Sequence, residues 1–211
     1  PEPRFEIVNR FQETSGIARP EVYDWAASLP KIMEGKEFNA VVVLMGSNDR
    51  QAIREGDFRL AFNTPEWKAA YEARIDELLE VLKSAGVKVF WVAIPPMGDA
   101  KYEADMKSIA ALQKQEVLGK GQVYVDLRSA FLTPDGEYTD KGPDDTGEVQ
   151  RLRSRDGVAF LRLGNNRFGQ LLLAEIKRII GPGAIDATPE LSPKGDLPSP
   201  AVAVVPLFGQ D

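Results

Sequence analysis

Two kinds of apolar pattern alternate along this chain, and together they outline its elements. Phe5-Glu6-Ile7-Val8 is a short apolar run that predicts a strand. Ala40-Val41-Val42-Val43-Leu44-Met45 is continuously apolar and β-branched, the mark of a strand covered on both faces in a parallel sheet. Val87 to Ile94 is a further strand, stopped by Pro95-Pro96, and Gln122 to Asp126 another. Between them the spacing turns helical. Pro20 to Lys36 reads as a helix-rich connector around Tyr23, Trp25, Leu29 and Ile32. Thr64-Pro65-Glu66 places a cap residue before Pro at the first helical position, and Trp67, Tyr71, Ile75, Leu78, Leu79 and Leu82 then share one stripe until Gly86. Helices are also expected over about 100–118 and 165–180, the latter with Phe168, Leu171, Leu172 and Ile176 inward.

Strand and helix in alternation predict an α/β fold with a parallel sheet, and in such sheets the site lies at the carboxyl ends of the strands. Gly46-Ser47-Asn48-Asp49, Pro95-Pro96-Met97-Gly98 and the segment after Asp126 fall there. Residues 133–156 are polar and turn-rich, a long loop of the kind that often carries function. The expected domain covers 1–180, and 181–211, with six Pro, reads as a tail. Its end, Ala201 to Phe208, is apolar, but Pro206 argues against a central strand.

Composition narrows the chemistry. The 211 residues hold no Cys and no His, so neither a Ser-His-Asp nor a Cys-His site can be completed within them. Disulfides and Cys- or His-rich zinc sites are excluded as well. The formal charge of −6 argues against nucleic acid as a partner. No apolar run approaches the ~20 residues of a membrane span, and no signal peptide is recognisable.

Individual motifs each have a plain structural reading beside the chemical one. The Asn48 amide at a strand end can aim a donor at an oxyanion, or close an Asx-turn. Gly16, in Ser15-Gly16, lets a backbone N–H approach a ligand closely, or simply makes a turn. Asp156-Gly157 is a turn signal, or an acid placed to orient a base. Ser28-Leu29-Pro30-Lys31 has Ser-x-x-Lys spacing, but Pro30 falls inside the turn that would bring Lys to Ser. Asp144, Asp145 and Glu148 lack the spacing of a calcium loop and read better as a solvated acidic loop.

In aggregate these pieces resemble the SGNH (GDSL-type) hydrolase family, and most closely a bacterial envelope branch of unknown function. The resemblance runs over about 5–180. It is carried by Val8-Asn9-Arg10, Ser15-Gly16-Ile17-Ala18-Arg19-Pro20, Tyr23-Asp24-Trp25 and Gly46-Ser47-Asn48-Asp49-Arg50-Gln51, followed in order by Pro95-Pro96-Met97, Gly142-Pro143-Asp144 and Asp156-Gly157. It implies a flavodoxin-like three-layer α/β/α sandwich. It also implies hydrolysis or transfer of acyl esters, commonly acetyl groups on glycans, with no cofactor and no metal. Gly16 and Asn48 match the family's second and third oxyanion donors, and Asp156 matches the acid of its Asp-x-x-His block.

Two departures stand out. Ala159 occupies the position of the family His, and the Gly-Asp-Ser block with its nucleophile is absent. In the family that block ends the strand before the one near Phe5, so a gap is expected beside the 40–45 strand, with unpaired backbone groups. Three explanations stay open: a fragment of a longer polypeptide, an engineered inactivation at Ala159, or a natural pseudoenzyme that binds in the old cleft. The resemblance implies a periplasmic or envelope setting. The partners it implies are an acylated glycan or small ester, and an envelope protein if the cleft only binds.

Overall fold

The computed structural model describes residues 6–180 and the backbone of 201–204. Its main sheet takes strands β1 (Glu6–Asn9), β2 (Phe38–Val43), β5 (Lys88–Val92), β6 (Val123–Val125) and β9 (Ala201–Val204). Their order is β1-β9-β2-β5-β6, and every neighbouring pair is parallel. Two small antiparallel hairpins stand apart, β3 (Ile53–Glu55) with β4 (Phe58–Leu60) and β7 (Lys141–Pro143) with β8 (Val149–Arg151). The second lies inside the long polar stretch expected to be a loop.

Side-chain alternation on β2 and β5 builds the two cores. Val41, Val43, Val89 and Trp91 face a cluster with helices α1 (Trp25–Met33), α2 (Pro65–Ser84) and α3 (Ala100–Gly119). Ala40, Val42, Phe90 and Val92 face a second cluster with α4 (Arg162–Ile180), through Phe168, Leu172 and Ile176. A strand buried on both faces has no room for polar alternation, which is why these runs are apolar throughout. The result is the three-layer α/β/α sandwich expected from the sequence. Local signals hold where they were expected: Thr64 caps α2 by accepting from Trp67 N at 3.2 Å, and Gly86, at φ 72°, ends it.

The expected gap beside β2 is filled. β9 pairs with β1 on one side, Glu6 to Ala201 through Asn9 to Val204, and with β2 on the other. The expectation that Pro206 bars a central strand is therefore overturned. The ladder ends at Val204, so the missing proline N–H falls beyond the last paired residue. The sheet thus draws on residues past 180, where the domain was expected to end; 181–200 and 205–211 lie outside the described residues.

Candidate active site

All five strands being parallel, the loops after β1, β2 and β5 emerge at one end of the sheet. The first two are joined there by side chains. Asn48 donates through Nδ2 to the Ser15 carbonyl at 2.9 Å, and Trp25 Nε1 donates to Ser15 Oγ at 3.1 Å. Beside them Asp49 is buried, 1% exposed. Its Oδ1 accepts from Ala18 N at 2.9 Å and its Oδ2 from the Tyr71 hydroxyl at 2.7 Å. Burial pushes the Asp49 carboxyl up, against the pull of the Ala18 N–H, the Tyr71 hydroxyl and the Ile17 N–H.

The reason position 16 is glycine follows from that carboxylate. A Cβ there would stand 2.0 Å from Asp49 Oδ1. Glycine lets the two loops close on each other, and among the described residues the Gly16 N–H has no hydrogen-bond acceptor. Arg74 of α2 fixes the same loop from outside, donating to Ala18 O at 2.6 Å and Arg54 O at 3.1 Å.

A buried polar chain holds Asp49 from behind. Gln113 Nε2 donates to the Tyr71 hydroxyl and to Met45 O, both at 3.0 Å, while Trp91 Nε1 donates to Gln113 Oε1 at 3.2 Å. Strands β2 and β5 and helices α2 and α3 are thereby tied to one carboxylate. Such a network is rigid because every break leaves a buried group unpaired.

Asp156 and Ala159 are brought together on a separate loop. Ser154 Oγ donates to Asp156 Oδ1, which also accepts from Val158 N at 2.9 Å. The Ala159 N–H donates to Ser154 Oγ at 2.9 Å. The Ser154 hydroxyl, then the Val158 N–H, hold the Asp156 carboxyl below its ordinary value. Gly98 N donates to Gly157 O at 3.1 Å, and a Cβ on Gly157, whose φ is 70°, would meet Gly98 Cα at 2.6 Å. Two glycines in contact dock this loop on the end of β5. Four residues on, Tyr102 donates to Ser47 O, so the segment 98–102 touches both the Asp156 loop and the Asn48 loop.

The sequence profile of one family matches residues 1–175, a family described as "Protein of unknown function (DUF459)". The chain belongs to that family. No curated protein matches it significantly. Among solved structures, a GDSL-like lipase from Bacteroides thetaiotaomicron VPI-5482 is 14% identical with a TM-score of 0.53, covering 83% of this chain and 88% of its own. An acetyl xylan esterase is 16% identical with a TM-score of 0.52, covering 77% of each chain. At these identities the likeness is one of fold, and the fold is that of SGNH hydrolases.

Gly16 and Asn48 thus sit together at the end of β1 and β2, and Asp156 and Ala159 sit together against β5. Asp144 is a turn residue: its Oδ1 accepts from Thr146 N, Thr146 Oγ1 and Glu148 N at 2.7–3.1 Å. Ser28 and Lys31 lie on α1, which continues through Pro30, and no hydrogen bond joins their side chains. Sequence reading missed Gln113 and Arg153, and took Tyr71 only as a core position of the α2 stripe. Gln113 could have been found, because it takes a core position on α3 beside Met106, Ile109, Ala110 and Val117; a polar residue in an apolar stripe signals a buried network.

Proposed function

We propose that this chain is the acyl-binding framework of an SGNH-type ester hydrolase or O-acyltransferase that works on acylated glycans of the bacterial envelope. The observation that carries the reading is the junction of the Gly16 loop with Asn48 at the carboxyl end of a parallel sheet. There the Gly16 N–H and the second N–H of the Asn48 amide are donors available to a carbonyl oxygen that gains charge. The same fold in an acetyl xylan esterase supports the substrate class.

These 211 residues bind such a group without turning it over. Asp156 has no imidazole to orient, because position 159 is Ala and the sequence has no His. Without the base, at most the contribution of the oxyanion donors and of binding remains. That observation also favours a second reading, a pseudoenzyme that recognises an envelope glycan or an envelope protein through the cleft.

Three measurements test this. With p-nitrophenyl acetate, product release should equal the buffer rate, and release above it would overturn the absence of turnover. An O-acetylated oligosaccharide should bind more tightly than its deacetylated counterpart, with the difference lost in Asn48→Ala. Equal binding of the two sugars would sink the oxyanion assignment. Ala159→His combined with a Gly-Asp-Ser strand put in place of β9, which fills the slot beside β2, should turn over ester under the first reading and stay inert under the second.

A further inference from the structure

Arg153 is 1% exposed, yet it pairs with no carboxylate among the described residues. Glu103, the nearest candidate on α3, is taken by Arg128 and also accepts from Met97 N at 2.9 Å. The other charged or titratable groups around Arg153 are Tyr138, Asp156 and Arg128. Burying a guanidinium without a counter-ion is costly, and burial lowers its proton affinity here. What it gains is specific. Nη2 donates to Gly157 O at 3.0 Å and to Val158 O at 2.8 Å. The guanidinium also lies over the Phe160 ring, 4.2 Å from its centroid. An apolar side chain of similar volume could pack on Phe160 and Met97, but it could not hold two main-chain carbonyls.

We propose that Arg153 is the positioning residue of the 156–159 segment, fixing its backbone so that the Asp156 carboxylate is held at the end of β5. The argument is geometric. Gly157 O receives two donors, Gly98 N from the β5 end and Arg153 Nη2 from beneath. Val158 O receives Arg153 Nη2, and the N–H of the same residue is the one that closes on Asp156 Oδ1. Arg153 therefore acts on Asp156 through Val158, and to a smaller extent through its own charge, so the amide exchange at Val158 and Ala159 is the readout of positioning. The inference rests on Asp156 being the acid of an esterase-type site, but its test needs no turnover.

The test follows the Asp156 carboxyl by carbon NMR against pH, assigned with Asp156→Asn, together with amide exchange at Val158 and Ala159. In the unaltered protein the midpoint lies below the ordinary carboxylate value. In Arg153→Met it should climb toward about 3.9, with exchange at the two amides faster by roughly tenfold and exchange in α2 unchanged. Arg153→Lys keeps the charge and one carbonyl contact, and should recover part of both shifts. A folded Arg153→Met with the midpoint and both amides unmoved would overturn the proposal. If Arg153→Met fails to fold, Arg153→Lys is read in the same way. Failure of both to fold would also overturn it, since Arg153 would then determine the whole fold and not one loop. A failed glycan-binding test with these shifts intact would count against the function alone.

Discussion

Tyr71 donates a hydrogen bond through its hydroxyl to Asp49 Oδ2 across 2.7 Å, and neither residue is more than 1% exposed. The same hydroxyl accepts from Gln113, so each of its hydrogen-bonding roles is taken. An aromatic residue on an otherwise apolar helix stripe thus sets the position of a carboxylate between two loops of the candidate site.

Tyr71→Phe should destabilise the fold. It leaves Asp49 Oδ2 without its donor in a closed site, a loss of about 1–3 kcal/mol. Asp49→Asn should cost a similar amount, because an amide nitrogen facing Tyr71 sets donor against donor. Urea unfolding of both single variants and the double variant checks this. A coupling energy of at least about 0.5 kcal/mol is expected for residues in contact, and simple additivity would count against the pairing.

Glycine positions should separate by sign. Gly16→Ala puts a Cβ 2.0 Å from Asp49 Oδ1 and should lower the melting temperature. Gly169→Ala, on α4 with no atom within 4 Å of the new Cβ, should raise stability by about 0.5–1 kcal/mol. Thermal melts of the two variants beside the parent decide it.

Acid sensitivity should trace in part to Asp156. Its carboxyl is held below its ordinary value in the folded state, first by the Ser154 hydroxyl. The folded form therefore binds its proton less readily than the unfolded chain. The stabilisation is complete above the unfolded value and is lost as pH falls through the folded one. Asp49 runs the other way, since its carboxyl is raised: its contribution is present at low pH and lost as pH rises through its folded value. Ser154→Ala should thus cost more stability at pH 7 than at pH 3 by urea unfolding, the bond from the Ala159 N–H to Ser154 Oγ being lost at both. An equal cost at both would contradict the assignment.

A proline at Ala203 should disrupt the sheet. β9 pairs on both sides, so every residue of the strand has a neighbour for its N–H. Replacing one N–H by a ring in a central strand removes a ladder bond and adds a clash. Circular dichroism and size-exclusion chromatography should show loss of structure or aggregation, whereas Pro206→Ala, beyond the ladder, should leave the fold in place.

Much of the fold was legible because burial writes itself into the sequence. The 40–45 run is apolar throughout since both its faces are covered, and the α2 stripe gave all six of its buried residues. The hairpins were not legible. β3 is three residues long with only Ile53 buried, and β7 and β8 have no fully buried residue, too little pattern for any period to show. Within the site, Gly16 and Asn48 each had a turn reading beside the chemical one, and only resemblance joined them, because their meeting depends on strand order. Arg153 could not be found at all, since nothing in Arg-Leu-Arg-Ser-Arg distinguishes the one guanidinium that turns inward.

The place of β9 bears on how the molecule is made. Its neighbours are β1 and β2, both synthesised long before it, so this seam of the sheet closes only after residues 201–204 have left the ribosome. Until then β1 and β2 present unpaired edges to each other and to neighbouring chains. Contacts this distant in sequence make folding slow and leave the nascent protein exposed to aggregation until the seam closes.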